Sequence, residues 1–173
     1  MRDGNVFYAK SGTCYFIKLT GNVRFSISRE FDGFIVNELF KDKDFDNIMI
    51  DLTEAEYLDS TTLGLLAKIA NLMRSRCNRK VTILSDNPNI NFLLDNIGFG
   101  DVFIIVEDSN LATEPLKKIS DRQSSGELEQ AKVILEAHRL LMNMNEKNHN
   151  VFKSLVDTLQ KEVSQIAGKT VNG

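Results

Sequence analysis

An α/β fold with a mostly parallel sheet is predicted by three observations. Short apolar runs alternate with helix-period segments from residue 6 to residue 106. Turn or acidic residues bound those runs, as expected of buried strands joined by helical crossovers. Periodicity then lapses over 107–126 and resumes as a heptad rhythm over 127–167. The expected organisation is therefore an α/β domain over 1–106 and a polar linker over 107–126. A long helix or helical hairpin over 127–167 and a disordered tail over 168–173 complete it.

The elements follow in order. VFYAK and TCYFIKLT, separated by the turn signal Ser11-Gly12, predict a β-hairpin. Phe31, Phe34, Ile35 and Leu39 recur at helical spacing between Ser28 and Phe40, with Ser26 or Ser28 available as a cap. NIMIDL (47–52) is a buried strand flanked by acidic residues, expected to end at Asp51 and give way to an acidic loop. Thr61 to Arg76 predicts a second helix with Leu65, Leu66, Ile69, Leu72 and Met73 on one face. KVTILS (80–85) is the next strand, Asn89 to Ile97 a short helix stopped by Gly98, and DVFIIV (101–106) the last strand. The crossovers between parallel strands should be right-handed.

The segment EDSNLATEPLKKISDRQSSG has no periodicity and reads as a linker. Beyond it, Ala131, Leu135, His138, Met142, Asn145, His149, Phe152, Val156, Leu159, Val163 and Ile166 are spaced by fours and threes. That unbroken phase favours one long helix over two. The stripe's polar centre has two readings: a partly exposed seam or bend, or a core Asn145 that fixes pairing register. His138 and His149 lie three turns apart without a Cys or carboxylate at ligand spacing, which argues against a metal site. The stripe could pack on its own domain, on a sister chain in a homodimer, or on a partner.

Composition narrows the function. Of 173 residues, 42% are hydrophobic and 26% charged, an ordinary globular balance that excludes wholesale disorder. The 21 Lys and Arg against 24 Asp and Glu leave no basic excess, which argues against nucleic acid as a partner. Cys14 and Cys77 are isolated and read as reduced thiols, as in a cytoplasmic protein. The N-terminal residues carry no signal-like apolar stretch, and the longest apolar region, Leu63 to Met73, is too short for a membrane span.

The chemistry concentrates where an internal strand gives way to a helix. Asp59-Ser60-Thr61-Thr62 places three hydroxyls at the positive end of a helix, beside free backbone N–H groups. The plain reading makes Asp59 or Ser60 an N-cap. Yet three hydroxyls exceed what a cap needs, and α/β folds place function at the C-terminal ends of strands. A phosphate added here would meet N–H donors and a favourable dipole. Asp51, Glu54, Glu56 and Asp59 crowd the approach with carboxylates, so added phosphate would deepen a negative surface. An enzyme would need a Ser/His pair, and both histidines lie in the tail, which would have to fold back over Ser60. No nucleotide-loop, nucleophile-elbow or zinc-helix motif is present, and a receiver-type phosphoaspartate site lacks its acidic pair and lysine.

Asp59-Ser60-Thr61-Thr62-Leu63-Gly64 resembles the D-S-[ST]-G-L-G signature of the STAS domain of anti-sigma factor antagonists. The lead-in IMIDLTEAEYL, the following helix and the KVTILS strand agree in order and spacing, over about residues 6–106. The C-terminal extension is similar to that of a proteobacterial subgroup in which a STAS domain carries a helical tail. The resemblance implies a STAS-like, mostly parallel sheet covered by helices, with no cofactor. It also implies a non-enzymatic switch that binds an anti-sigma factor or switch kinase when unphosphorylated. A serine kinase of the histidine-kinase-like ATPase type would modify it, and a PP2C-type phosphatase would reverse the change. Carried over, the acceptor is Ser60, with Thr61 as second choice, and the partner-binding residues are Asp59, Ser60, Thr61, Thr62, Leu63 and Gly64. Thr62 stands where the best-known members have Gly. The alternative the resemblance allows is an accessory subunit of a transporter or lipid-trafficking complex.

Overall fold

The structure, a computed structural model, describes residues 2–107, 115–120 and 126–173. Strands β1 (Asn5–Ser11) and β2 (Cys14–Val23) form the expected hairpin across Gly12, whose φ of 59° is the left-handed turn geometry that glycine adopts without cost. There follow α1 (Ser28–Phe34), β3 (Asn47–Leu58), α2 (Ser60–Cys77), β4 (Val81–Leu84), α3 (Pro88–Asn96) and β5 (Phe103–Val106). Next come β6 (Lys117–Lys118), α4 (Glu127–Met142) and α5 (Glu146–Val171). The sheet order is β5-β4-β3-β2-β1-β6, with β2 through β5 parallel to one another.

Burial alternates along β2: Tyr15, Ile17, Leu19 and Val23 are buried, while Phe16, Lys18 and Thr20 are not. Ile48, Ile50 and Leu52 of β3 continue the buried face, and Phe31, Ile35, Leu66, Ile69, Ile90 and Leu94 from the helices close over it in one core. A parallel sheet buried on both faces would read as continuous apolar runs; this one is packed on a single face.

Four local expectations change. β3 does not end at Asp51 but runs on to Leu58, so the acidic loop is a strand. Register shifts between Lys18 and Thr20 and between Gly21 and Asn22 let β3 carry extra residues while staying paired with β2. The helix begun at Ser28 has no side-chain cap; Ser28 Oγ instead donates to the Phe25 carbonyl at 2.6 Å. It continues as a π-helical turn over Ile35–Leu39, with Phe40 N–H donating to the Ile35 carbonyl. Arg76 of α2 gathers the carbonyls of Leu39, Phe40 and Asp42 at its end. Within the polar linker, Lys117 and Lys118 pair antiparallel with Tyr8 and Phe7 at the sheet edge, where lysines suit an exposed strand. Residues 108–114 and 121–125 of that linker lie outside the described residues.

The fourth change concerns the tail. The continuous heptad phase favoured one long helix, but the chain breaks between Met142 and Glu146 and folds into a hairpin. Asn145 takes an extended conformation (φ −159°, ψ 169°), and its side chain accepts the Asn148 N–H at 2.8 Å, making it the N-cap of α5. Asn148, buried, donates to the Ile97 carbonyl at 2.9 Å and so pins the bend to the end of α3. The polar centre is thus a bend. α5 also runs through Gly168 to Val171, where a disordered tail had been expected.

Candidate functional site

The start of α2 is held by Asp59. Its Oδ1 accepts the Thr62 backbone N–H and the Thr62 hydroxyl, both at 2.9 Å, and its Oδ2 accepts the Phe25 N–H at 2.6 Å. Thr62 Oγ1 also lies 3.2 Å from the Val23 carbonyl, and Asp59 N–H donates to the same oxygen. Asp59 and Thr62 together therefore tie the helix to the end of β2. This accounts for a threonine at 62, because its hydroxyl closes the cap. The capping alternative for Ser60 falls away, since the N-cap is Asp59.

Ser60 is the first residue of α2 and is half-buried, while Thr61, Thr62, Leu63 and Gly64 are buried. The tail covers the Ser60 and Gly64 side of the helix. α4 packs against α2, and Ser60 Oγ lies 2.8 Å from Nε2 of His138. The His138 Nδ1 lies 2.7 Å from the Ile134 carbonyl, an acceptor, so Nδ1 carries a proton. In that tautomer Nε2 is the acceptor and the Ser60 hydroxyl the donor. His138 is only 4% exposed, wedged between α2 and the Phe152 ring of α5. His149, by contrast, is exposed.

Two further contacts fix α4. A Cβ on Gly64 would lie 2.2 Å from the Ala137 carbonyl oxygen, so the two backbones meet at a spacing that only glycine allows. Lys68, four residues further along α2, bonds Asp32 of α1 at 2.7 Å and Glu136 of α4 at 3.0 Å. Burial lowers the Lys68 pKa, but the two carboxylates outweigh it and leave the ammonium above its ordinary value. Ser60, Gly64 and Lys68 thus form one stripe of α2, met by His138, Ala137 and Glu136, three successive residues of α4.

The acidic approach is also not as expected. Glu54 pairs with Lys18 at 2.6 Å, and Lys18 stands 3.8 Å from Asp51. Glu56 pairs with Arg2 at 2.6 Å, and that contact, first as a hydrogen bond and then as opposite charge, holds its carboxyl below the usual range. Since Asp59 is spent on N–H and O–H donors, all four carboxylates are partnered. The negative surface inferred from sequence is reduced but not cancelled, because β3 lays Asp51, Glu54 and Glu56 beside the β2 lysine and the N-terminal arginine, two cations for four carboxylates.

The condition set for a Ser/His pair, a tail folded back over Ser60, is met. The ring is oriented by a backbone carbonyl rather than a carboxylate, so no fixed negative charge steadies an imidazolium as in a hydrolytic triad. No sequence signal named His138 as the partner of Ser60. A polar residue at a core position of the tail stripe was visible, but not what it would face. Among the described residues, no helix is long and apolar enough to cross a membrane.

Two solved structures are similar to this chain. One is the anti-sigma factor antagonist SpoIIAA in its unphosphorylated form, with a TM-score of 0.50 and 12% identity, covering 61% of this chain and 89% of that one. The other is an anti-sigma factor antagonist from Mycobacterium paratuberculosis, with a TM-score of 0.49 and 12% identity, covering 61% and 87%. At such identity the likeness to the first is one of fold. No curated protein matches the chain. The STAS domain family matches residues 7–112, from β1 past β5 and short of the α4–α5 hairpin. With that match spanning more than half of its residues, on the strand and helix order described above, the chain belongs to the STAS domain family.

Proposed function

We propose that this protein is a phosphorylation-controlled interaction switch, an anti-sigma factor antagonist that binds an anti-sigma factor or switch kinase while Ser60 is unmodified. The observation that carries the reading is the division of labour at the start of α2. Asp59 takes the capping duty, so the Ser60 hydroxyl is not needed to hold the helix start and is bonded instead to a side chain of the tail. Ser60 is the acceptor in preference to Thr61, whose side chain is buried. A serine kinase of the histidine-kinase-like ATPase type adds the phosphoryl group, and a PP2C-type phosphatase removes it. The binding surface is the turn from Asp59 to Gly64, and the protein acts by binding rather than by catalysis.

Binding of the chain, as Ser60→Ala and as Ser60→Asp, to a candidate anti-sigma factor tests this. Ser60→Ala should retain affinity and Ser60→Asp should lose 5- to 150-fold, on the order of 1–3 kcal/mol of coupling. Equal affinities would sink the switch. Recovery of an ATPase transport subunit, in place of an anti-sigma factor or kinase, would replace it with the transporter-accessory reading.

A further inference from the structure

We infer that the α4–α5 hairpin is an autoinhibitory clamp, and that a docked α4 and a phosphoryl group on Ser60 exclude one another. The inference rests on the proposed reading for the identity of the modified residue. Its physical basis is the space around Ser60 Oγ. Nε2 of His138 stands 2.8 Å from that oxygen and fills the α4 side of the space a phosphoryl group on it would take.

The imidazole cannot step aside alone. Its Nδ1 is bonded to the carbonyl of Ile134 in its own helix, and the Phe152 ring stands edge-on behind it, with 6.0 Å between centroids. Moving His138 therefore means moving α4. α4 in turn has no slack along α2, because the Ala137 backbone already sits on Gly64 and Glu136 is tied to Lys68. Phosphorylation also replaces a small hydroxyl donor by a bulky group carrying about −1.5 to −2 charges, set against the nearly buried face of α4.

Exclusion is reciprocal. A docked α4 withholds Ser60 from a kinase and covers Gly64 against a partner. The closed chain is a resting form; the open, unmodified chain binds; and the phosphorylated chain is held open but carries a charge that repels the partner. The tail thus sets how much protein is available to either event.

The test places phosphoserine at position 60 of the full chain during translation and reads amide hydrogen exchange with no kinase or partner present. Exchange over 127–171 should rise by about 5- to 150-fold, the span of a typical coupling. Protection in β2, β3 and β4 should be unchanged. Ser60→Ala removes the hydrogen bond but leaves the space free, so it should raise tail exchange by about 2- to 13-fold, the span of one neutral hydrogen bond, and by less than phosphoserine does. Glu136→Lys, which turns the Lys68 pairing into repulsion without touching Ser60, should loosen the same segment. Unchanged tail protection in the phosphoserine chain overturns the clamp. So does loss of sheet protection equal to that of the tail, or a Ser60→Ala effect as large as that of phosphoserine. Because no partner is present, a clamp that fails this test leaves the binding comparison of Ser60→Ala with Ser60→Asp to be decided separately.

Discussion

Replacing Gly64 by alanine sets two effects of opposite sign against each other. On an isolated helix the change is favourable by about 1 kcal/mol, because alanine has the higher helix propensity. Here the new Cβ would stand 2.2 Å from the Ala137 carbonyl oxygen and 2.5 Å from its carbon. Those are backbone atoms and cannot rotate away, so α4 must retreat by on the order of 1 Å to restore ordinary contact, an overpacking strain of about 1–3 kcal/mol. Full separation costs more, because the buried Leu135 and Leu141 would each forfeit about 1.5–3 kcal/mol on exposure. The chain takes the cheaper course, strain near the top of its range, and after the propensity gain about 2 kcal/mol of stability is lost. In urea, with a slope of about 2 kcal/mol/M, the midpoint falls by about 1 M. By heat the transition falls by about 4–8 °C. Ala137→Gly does not rescue it, since the nearest atom is the carbonyl oxygen and not the methyl. A midpoint that rises would refute the reasoning, because propensity would then be acting on a helix that α4 does not touch.

Other perturbations probe the remaining contacts. Asp59→Ala removes the acceptor for the Thr62 N–H, the Thr62 hydroxyl and the Phe25 N–H, and should cost about 2–3 kcal/mol in urea unfolding. Asn145→Ala removes the cap at the hairpin bend and should cost about 1 kcal/mol, with faster amide exchange confined to the first turn of α5. The Asp42 carboxyl is held well below its usual range, first by the hydrogen bond from Lys10 and then by that from Tyr15. A depressed carboxylate adds stability above its unfolded value, near pH 4, and that stability drains away as pH falls toward the folded value. Asp42→Asn should therefore be less stable at pH 7 and show a flatter decline below pH 4, measured as urea midpoints against pH.

Much of the sheet was legible because burial on one face leaves a periodic mark. The β1–β2 hairpin, β4, α3 and β5 stand where alternation, turn residues and Gly98 placed them, within three residues. The second half of β3 was not legible. TEAEYL reads as an acidic loop until β3 is known to bulge along β2 and the Lys18 side chain to reach Glu54. The tail shows the same limit in another form. Its heptad phase runs unbroken through 143–145, and a helix and a hairpin share that phase. The choice was made by Asn148 reaching the Ile97 carbonyl and by the room beside α2 that Gly64 provides.

At the site, the residues Asp59-Ser60-Thr61-Thr62 alone marked a helix start with a surplus hydroxyl, because capping chemistry is local and involves neighbours in the chain. Which hydroxyl was surplus required the fold, since Thr62 finds Val23 and Ser60 finds His138 across 39 and 78 residues of chain. Sequence by itself determined the order of strands and helices as far as β5 and the amphipathic stripe of the tail, which follow from period and propensity within short windows. Only the tertiary structure decided that the α4 part of the stripe packs on the chain's own α2 and the α5 part on α4, because a helical face records that it must be buried and not against what.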